Sequence, residues 1–138
     1  MAEVAGRIAL ALLALVVCVG MAVELRAHDL LENAGHVAAG AHPKPGDVDR
    51  ALRDAKKVSD LRPGSQGLMA AAALDLRTAR YRAATQAAQA ATRREPDNFS
   101  TWVTLALAAA GTGNTTGSQL AYAKAHLLNP LYPIPRQR

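Results

Sequence analysis

Apolar residues in this chain fall into one unbroken block followed by short helical runs cut by proline and glycine. The block is Ile8 to Val23, IALALLALVVCVGMAV, bounded by Arg7 and Glu24. Its 16 residues carry no charge and amount to roughly 24 Å of α-helix, a little less than the hydrocarbon thickness of a bilayer. The residues after it, ELRAHDLLENAGHVAA, contain no proline and no turn cluster, so the same helix is expected to continue to about residue 39. His42-Pro43-Lys44-Pro45-Gly46 reads as a loop. Asp47 is placed to cap a helix ending near Leu61, ahead of Arg62-Pro63-Gly64. Ser65 is placed to cap the next, through about Leu76. A turn near Thr78 leads to a helix from about Arg80 to Arg94, which Pro96-Asp97-Asn98 breaks. Asn98 or Ser100 caps a helix to about Ala110, and Gly111 to Gly117 forms the most polar loop. A last helix runs from about Ser118 to Leu128 and stops at Asn129-Pro130. The tail, LYPIPRQR, is expected to be extended. No period-two alternation occurs outside the first block, so the fold class is all-α.

Composition sharpens this. Of 138 residues 31 are alanine and only 4% are aromatic. Alanine favours helix but fills a core poorly, which predicts closely spaced helices around a thin core. The length allows one small domain. Collagen-like, disulfide-framework and extended disordered classes are excluded by composition. The single cysteine, Cys18, cannot form an internal disulfide.

The prolines that end helices, Pro63, Pro96 and Pro130, recur at a spacing of about 34 residues, a period that marks helical solenoids. Fixed offsets before each proline give Ala51, Ala55 and Val58, then Ala84, Ala88 and Ala91, then Ser118, Tyr122 and Ala125. Small residues recur where two helices of one hairpin must approach. On these residues, and on the stretch ARYRAATQAAQAATRREPDN, the chain resembles the tetratricopeptide repeat family. Trp102, Leu105, Ala106 and Ala109 match the large and small positions of that repeat's first helix, although an aromatic is usual where Ala109 stands. The resemblance implies about two and a half to three stacked hairpins over residues 24–132. Ala84, Ala88, Ala91, Pro96, Trp102, Leu105, Ala106, Tyr122, Ala125 and Pro130 form its repeat core. It implies non-enzymatic protein–protein scaffolding in a bacterial envelope assembly. Asn98, Thr101, Thr104 and Ala108 would line the partner-binding face. A link to polysaccharide machinery is analogy of architecture alone.

The apolar block admits three readings: a single-pass anchor at 8–23 after a tail at 1–7, a signal peptide cleaved after Ala22, or a lipoprotein signal using Cys18. The third lacks the small residue expected where Val17 stands, and the block is longer than most signal cores, so we take the anchor. The balance of flanking charge places residues 1–7 inside and the hairpins on the extracytoplasmic side. Anchoring favours a protein partner in or at the same membrane. Cleavage near Ala22 would instead give a secreted helical-repeat binding domain.

Net charge is +5, and Arg77, Arg80, Arg82, Arg93 and Arg94 form a stretch without an acid until Glu95. Only Tyr81 interleaves them, and no nucleic-acid-binding signature accompanies them, so a solvated helix face accounts for them better than nucleic acid. His28, Glu32 and His36 recur every four residues on one helix face, two imidazoles and a carboxylate of the kind that bind divalent metal. The outer two are about 12 Å apart along the axis, so at best an i, i+4 pair would hold an ion, with help from Asp29 or His42. No phosphate loop or nucleophile elbow occurs, and neither a cofactor nor a small-molecule substrate is expected.

Overall fold

The computed structural model describes residues 2–40 and 44–132, with side chains from residue 12 onward. The extended tail expected at 133–138 and His42 lie outside the described residues. Among those described there are six helices and no strand: α1 Ala2–Ala39, α2 Pro45–Leu61, α3 Gln66–Arg77, α4 Tyr81–Arg94, α5 Phe99–Gly111 and α6 Thr115–Leu128. The all-α class therefore holds. Among the described residues no helix is long and apolar enough to cross a membrane. The first four residues of the apolar block, Ile8 to Ala11, lie outside the described side chains.

Local chemistry explains the ends, including three that differ from expectation. α2 starts at Pro45, with Lys44 at the N-cap and Asp47 inside the first turn rather than capping it. Proline suits that place because its missing N–H would be unpaired there anyway. Ser65 stands before α3, but its hydroxyl donates to Glu95 Oε2 instead of capping its own helix. Asn98 caps α5, its side chain accepting from the Ser100 N–H. Asn114 caps α6 in the same way from the Gly117 N–H, so the polar segment 111–117 contributes only Thr112 to Asn114 as loop. The sequence carries a signal for that cap, since Asn is among the best N-cap residues. α3 ends in a Schellman turn: Ala79 N–H donates to Leu76 and Arg80 N–H to Asp75, with Ala79 at φ 56°.

Each helix packs on the next through a short connection, so neighbours run antiparallel. In addition α1 packs on α3 and α3 on α5, whereas among the described residues the backbones of α2, α4 and α6 do not pack on one another. This is a stack of three hairpins in which the first helices form a continuous layer. The buried residues of α3 are Gly67, Ala72, Leu74 and Asp75; those of α5 are Thr101, Ala106, Ala108 and Ala109. The two sets coincide position for position when one is shifted by a single repeat period. The positions matched before the three prolines are buried without exception: Ala51, Ala55 and Val58; Ala84, Ala88 and Ala91; Ser118, Tyr122 and Ala125. Trp102 and Leu105 are half-buried, and Pro96 and Pro130 are exposed, so the two prolines end helices and are not core. Trp102 instead fixes the α4–α5 turn, its indole N–H donating to the Pro96 carbonyl at 2.7 Å.

Among the described residues no fully buried side chain is larger than leucine. Cohesion thus depends on close helix approach rather than on bulky core groups. The tightest place is Gly67. A Cβ there would stand 2.5 Å from the Ala55 carbonyl oxygen and 2.5 Å from the Ser59 nitrogen, both backbone atoms of α2.

Polar staples hold the hairpins in register. Glu95 accepts from the Ser65 N–H and hydroxyl, both at 2.7 Å, and from the Asn98 amide at 2.8 Å. Arg94 beside it donates to the carbonyls of Ser59 at 3.2 Å and Gly64 at 3.0 Å, closing the end of α2. At the opposite end Arg80 Nε lies 2.9 Å from the buried Asp75 carboxylate. Desolvation raises the Asp75 pKa, and Arg80 opposes that shift. The hydrogen bonds from Asn98 and Ser65 lower the Glu95 pKa.

Three outcomes are expected. Gly67→Ala gains about 1 kcal/mol of helix propensity but forces two backbones apart, so thermal denaturation should show a net loss of about 1–3 kcal/mol. Ser118 Oγ is buried without a hydrogen-bond partner among the described residues, at the position Ala51 and Ala84 occupy in the other hairpins. Ser118→Ala should therefore stabilise by about 1 kcal/mol in chemical denaturation. A carboxylate whose folded pKa is lowered contributes stability above its unfolded pKa and loses it as pH falls through the folded one. Melting temperature should accordingly fall more steeply on acidification through the carboxylate range in the natural protein than in Glu95→Gln. Asp75, shifted upward, acts in the opposite sense in both proteins.

Candidate functional site

Three surfaces stand out once the hairpins are stacked. The first is the amino-terminal half of α1. Residues 12–22 are all exposed, among them Leu12, Leu13, Leu15, Val16, Val17, Val19 and Met21. Contact with the hairpins begins below it. Val23 is half-buried, Glu24 pairs with Arg62, and Ala27 and Ala34 are buried. The 38 residues of α1 span about 57 Å, whereas the 17 of α2 span about 25 Å, so α1 overshoots the stack by roughly its apolar half.

The second surface is the open side of the α1, α3 and α5 layer. Burial on α3 centres between Gly67 and Asp75, so the opposite side carries Met69 and Ala73. The same positions one repeat further on are Val103, half-buried against the Ala106, Ala121 and Tyr122 cluster, and Leu107, which is 47% exposed. The result is one exposed leucine flanked by the half-buried Met69, Ala73 and Val103. The partner-face residues expected from the sequence fall partly elsewhere. Thr101 and Ala108 have no accessible surface, because they face the neighbouring helices. Asn98 is half-buried with its side chain used in the α5 cap and the Glu95 staple. Thr104 is half-buried, with its hydroxyl donating to the Ser100 carbonyl. The exposed apolar position of α5 thus lies at Leu107 rather than at the four residues expected.

The third surface is the outer side of α6. Exposed residues of α4 at Arg82, Gln86, Gln89 and Arg93 correspond, in the next repeat, to Thr116, Leu120, Ala123 and Leu127 of α6. In α2 the matching side is Asp49, Arg53, Lys56 and Asp60. The outer side is polar in two hairpins and aliphatic in the third. Aligning the repeats in the sequence would have revealed this change.

The arginine stretch does not form one surface. Arg77, Arg80 and Arg82 lie at the α3–α4 turn, and Arg93 and Arg94 at the other end of α4. Arg77 donates to the Gly40 carbonyl, Arg80 pairs with Asp75, and Arg94 caps α2. A cleft of about 490 Å³ opens at the α3–α4 turn, lined by Ala79 to Ala83, Gly111 and Thr112. Tyr81 lies across Gly111, where a Cβ would run into its ring. Of the histidine face, Glu32 and His36 are exposed and 3.7 Å apart. Among the described residues no group of three or more His, Cys, Asp or Glu is placed to hold a metal ion. The exposed apolar groups thus lie on the amino-terminal half of α1, at Leu107 and on α6.

Compared with known protein families, curated proteins and solved structures, the chain matches none.

Proposed function

We propose that this chain is a membrane-anchored adaptor built of tetratricopeptide-like hairpins, which binds a protein partner and carries out no catalysis. The observation that supports this reading most is the recurrence of burial from one repeat to the next, Gly67, Ala72, Leu74 and Asp75 against Thr101, Ala106, Ala108 and Ala109. Hairpins stacked in a fixed frame leave one layer of helices as a continuous surface, and solenoids bind partners there. Exposed Leu107 and the half-buried Met69 and Ala73 make a shallow, uncharged patch, which suits an extended peptide or an apolar helix face.

The anchor reading draws on α1. Apolar residues surround it on all sides from Leu12 to Met21, and a helix apolar all round needs an apolar environment. The hairpins lie on the extracytoplasmic side in this reading, with residues 1–7 inside. An array of three hairpins offers limited contact area. Anchoring in the partner's own membrane raises the effective concentration and compensates for that.

The test is co-purification in mild detergent of the tagged full chain, of Leu107→Glu, and of Gln86→Glu as an outer-face control. A stoichiometric membrane protein should accompany the first and the third. Its recovery should fall at least about tenfold with Leu107→Glu, equivalent to about 1.4 kcal/mol, while the melting temperature stays near that of the natural protein. Equal recovery with all three would rule out this layer as the binding face.

A further inference from the structure

The end of the stack from which α1 leaves is defined by four contacts. Glu24 pairs with Arg62, just past α2. Arg94, the last residue of α4, donates to the carbonyl of Gly64, just before α3. Glu95 accepts from Ser65. The Phe99 ring at the start of α5 lies 5.8 Å from that of Tyr132, beyond α6. The carboxyl ends of α2, α4 and α6 and the amino ends of α3 and α5 therefore share one level with Glu24. No linker separates that level from the apolar run, because α1 is a single helix through Val23 and Glu24.

This end exposes aliphatic groups among charged ones, Glu24, Asp60, Arg93, Arg94 and Asp97. Leu131 is 93% accessible, Leu127 75% and Leu61 44%, and Pro63 and Pro96 are exposed beside them. Leu127 and Leu131 stand where the preceding hairpin carries Arg93 and Asp97. The aliphatic groups are thus particular to the last hairpin and are not required by the repeat.

We infer that this end of the stack rests in the headgroup layer of the bilayer that receives α1, with Leu127 and Leu131 inserted toward the acyl chains. The inference rests on the anchor reading above and adds to it a second, peripheral contact. A lipid surface is the occupant because of continuity. The apolar run stops at Val23, the headgroup layer extends about 5–7 Å beyond the hydrocarbon, and any group level with Glu24 falls within that depth. Aliphatic side chains there gain by entering the interface, as they do on interfacial helices. Two attachments, one through α1 and one through the end of α6, hold the stack upright. The α1, α3 and α5 layer then stands across the membrane plane at a fixed height.

Spin labels at Val16→Cys, Leu120→Cys, Leu127→Cys and Leu131→Cys, each in a full-length Cys18→Ser background, test this in phosphatidylcholine–phosphatidylglycerol vesicles. Collision with oxygen reports lipid, and collision with a nickel chelate reports water. Labels at Val16, Leu127 and Leu131 should favour oxygen once vesicles are added, the last two at shallower depth. Leu120, about 10 Å from Leu127 along α6, should remain open to the chelate. Val16 in lipid with Leu127 and Leu131 in water would overturn the inference and leave the anchor standing. Val16 in water would overturn both. Leu127 and Leu131 shielded from both probes would mean that a second copy covers this end, which also overturns it.

Discussion

Close approach of helix backbones, permitted by alanine and glycine at fixed positions, is the constraint on which the other features depend. Alanine contributes little burial of its own. What it allows is contact between the main chains of neighbouring helices, where many weak dispersion contacts accumulate. Gly67 marks the limit of this strategy, since even a methyl group would meet the backbone of α2. The same constraint explains why the core tolerates few large groups. Tyr122 and Leu74 are accommodated because Ala106 and Ala121 lie beside one, and Ala34 and Ala51 beside the other.

Thin cores need directional contacts to fix which hairpin lies where. Arg94 and Glu95 supply them at one end, joining the α2–α3 turn to the α4–α5 turn through charged hydrogen bonds. Arg80 and Asp75 supply them at the other end. Both arginines come from the stretch that, as sequence, reads as a solvated helix face. Three of its five arginines, Arg77, Arg80 and Arg94, bridge elements of the fold from exposed positions. Exposed aliphatic groups gather on α1, at Leu107 and on α6, while α2 and α4 keep a charged outer side.

Much of the fold is legible in the sequence because its signals are periodic or local. The proline spacing marks the hairpin boundaries, and the small residues before each proline are all buried. Asn114 escapes such a reading because a run of polar and glycine residues looks like loop, although a single asparagine is enough to start a helix within it. Thr101 and Ala108 depart from expectation for a different reason. On one helix a rotation of one residue turns a side chain by about 100°, and periodicity alone does not say which side meets a neighbour. The contact of α3 with α5 settles that, and it is a property of the stack rather than of either helix. The overshoot of α1 lies between these cases. The apolar block is plain in the sequence, while its unbroken continuation into the first hairpin is what places the whole end of the stack at its base.

The central claim is that α3 seats on α2 backbone to backbone at Gly67, and the most direct measurement is a nuclear Overhauser spectrum of the full chain in detergent. The Gly67 Cα hydrogen that occupies the Cβ direction should give a strong cross-peak to the Ser59 Cα hydrogen, because the Cβ position lies 3.0 Å from Ser59 Cα. Absence of that cross-peak, with both helices intact by chemical shift, would contradict the close-packed stack and the repeat frame built on it.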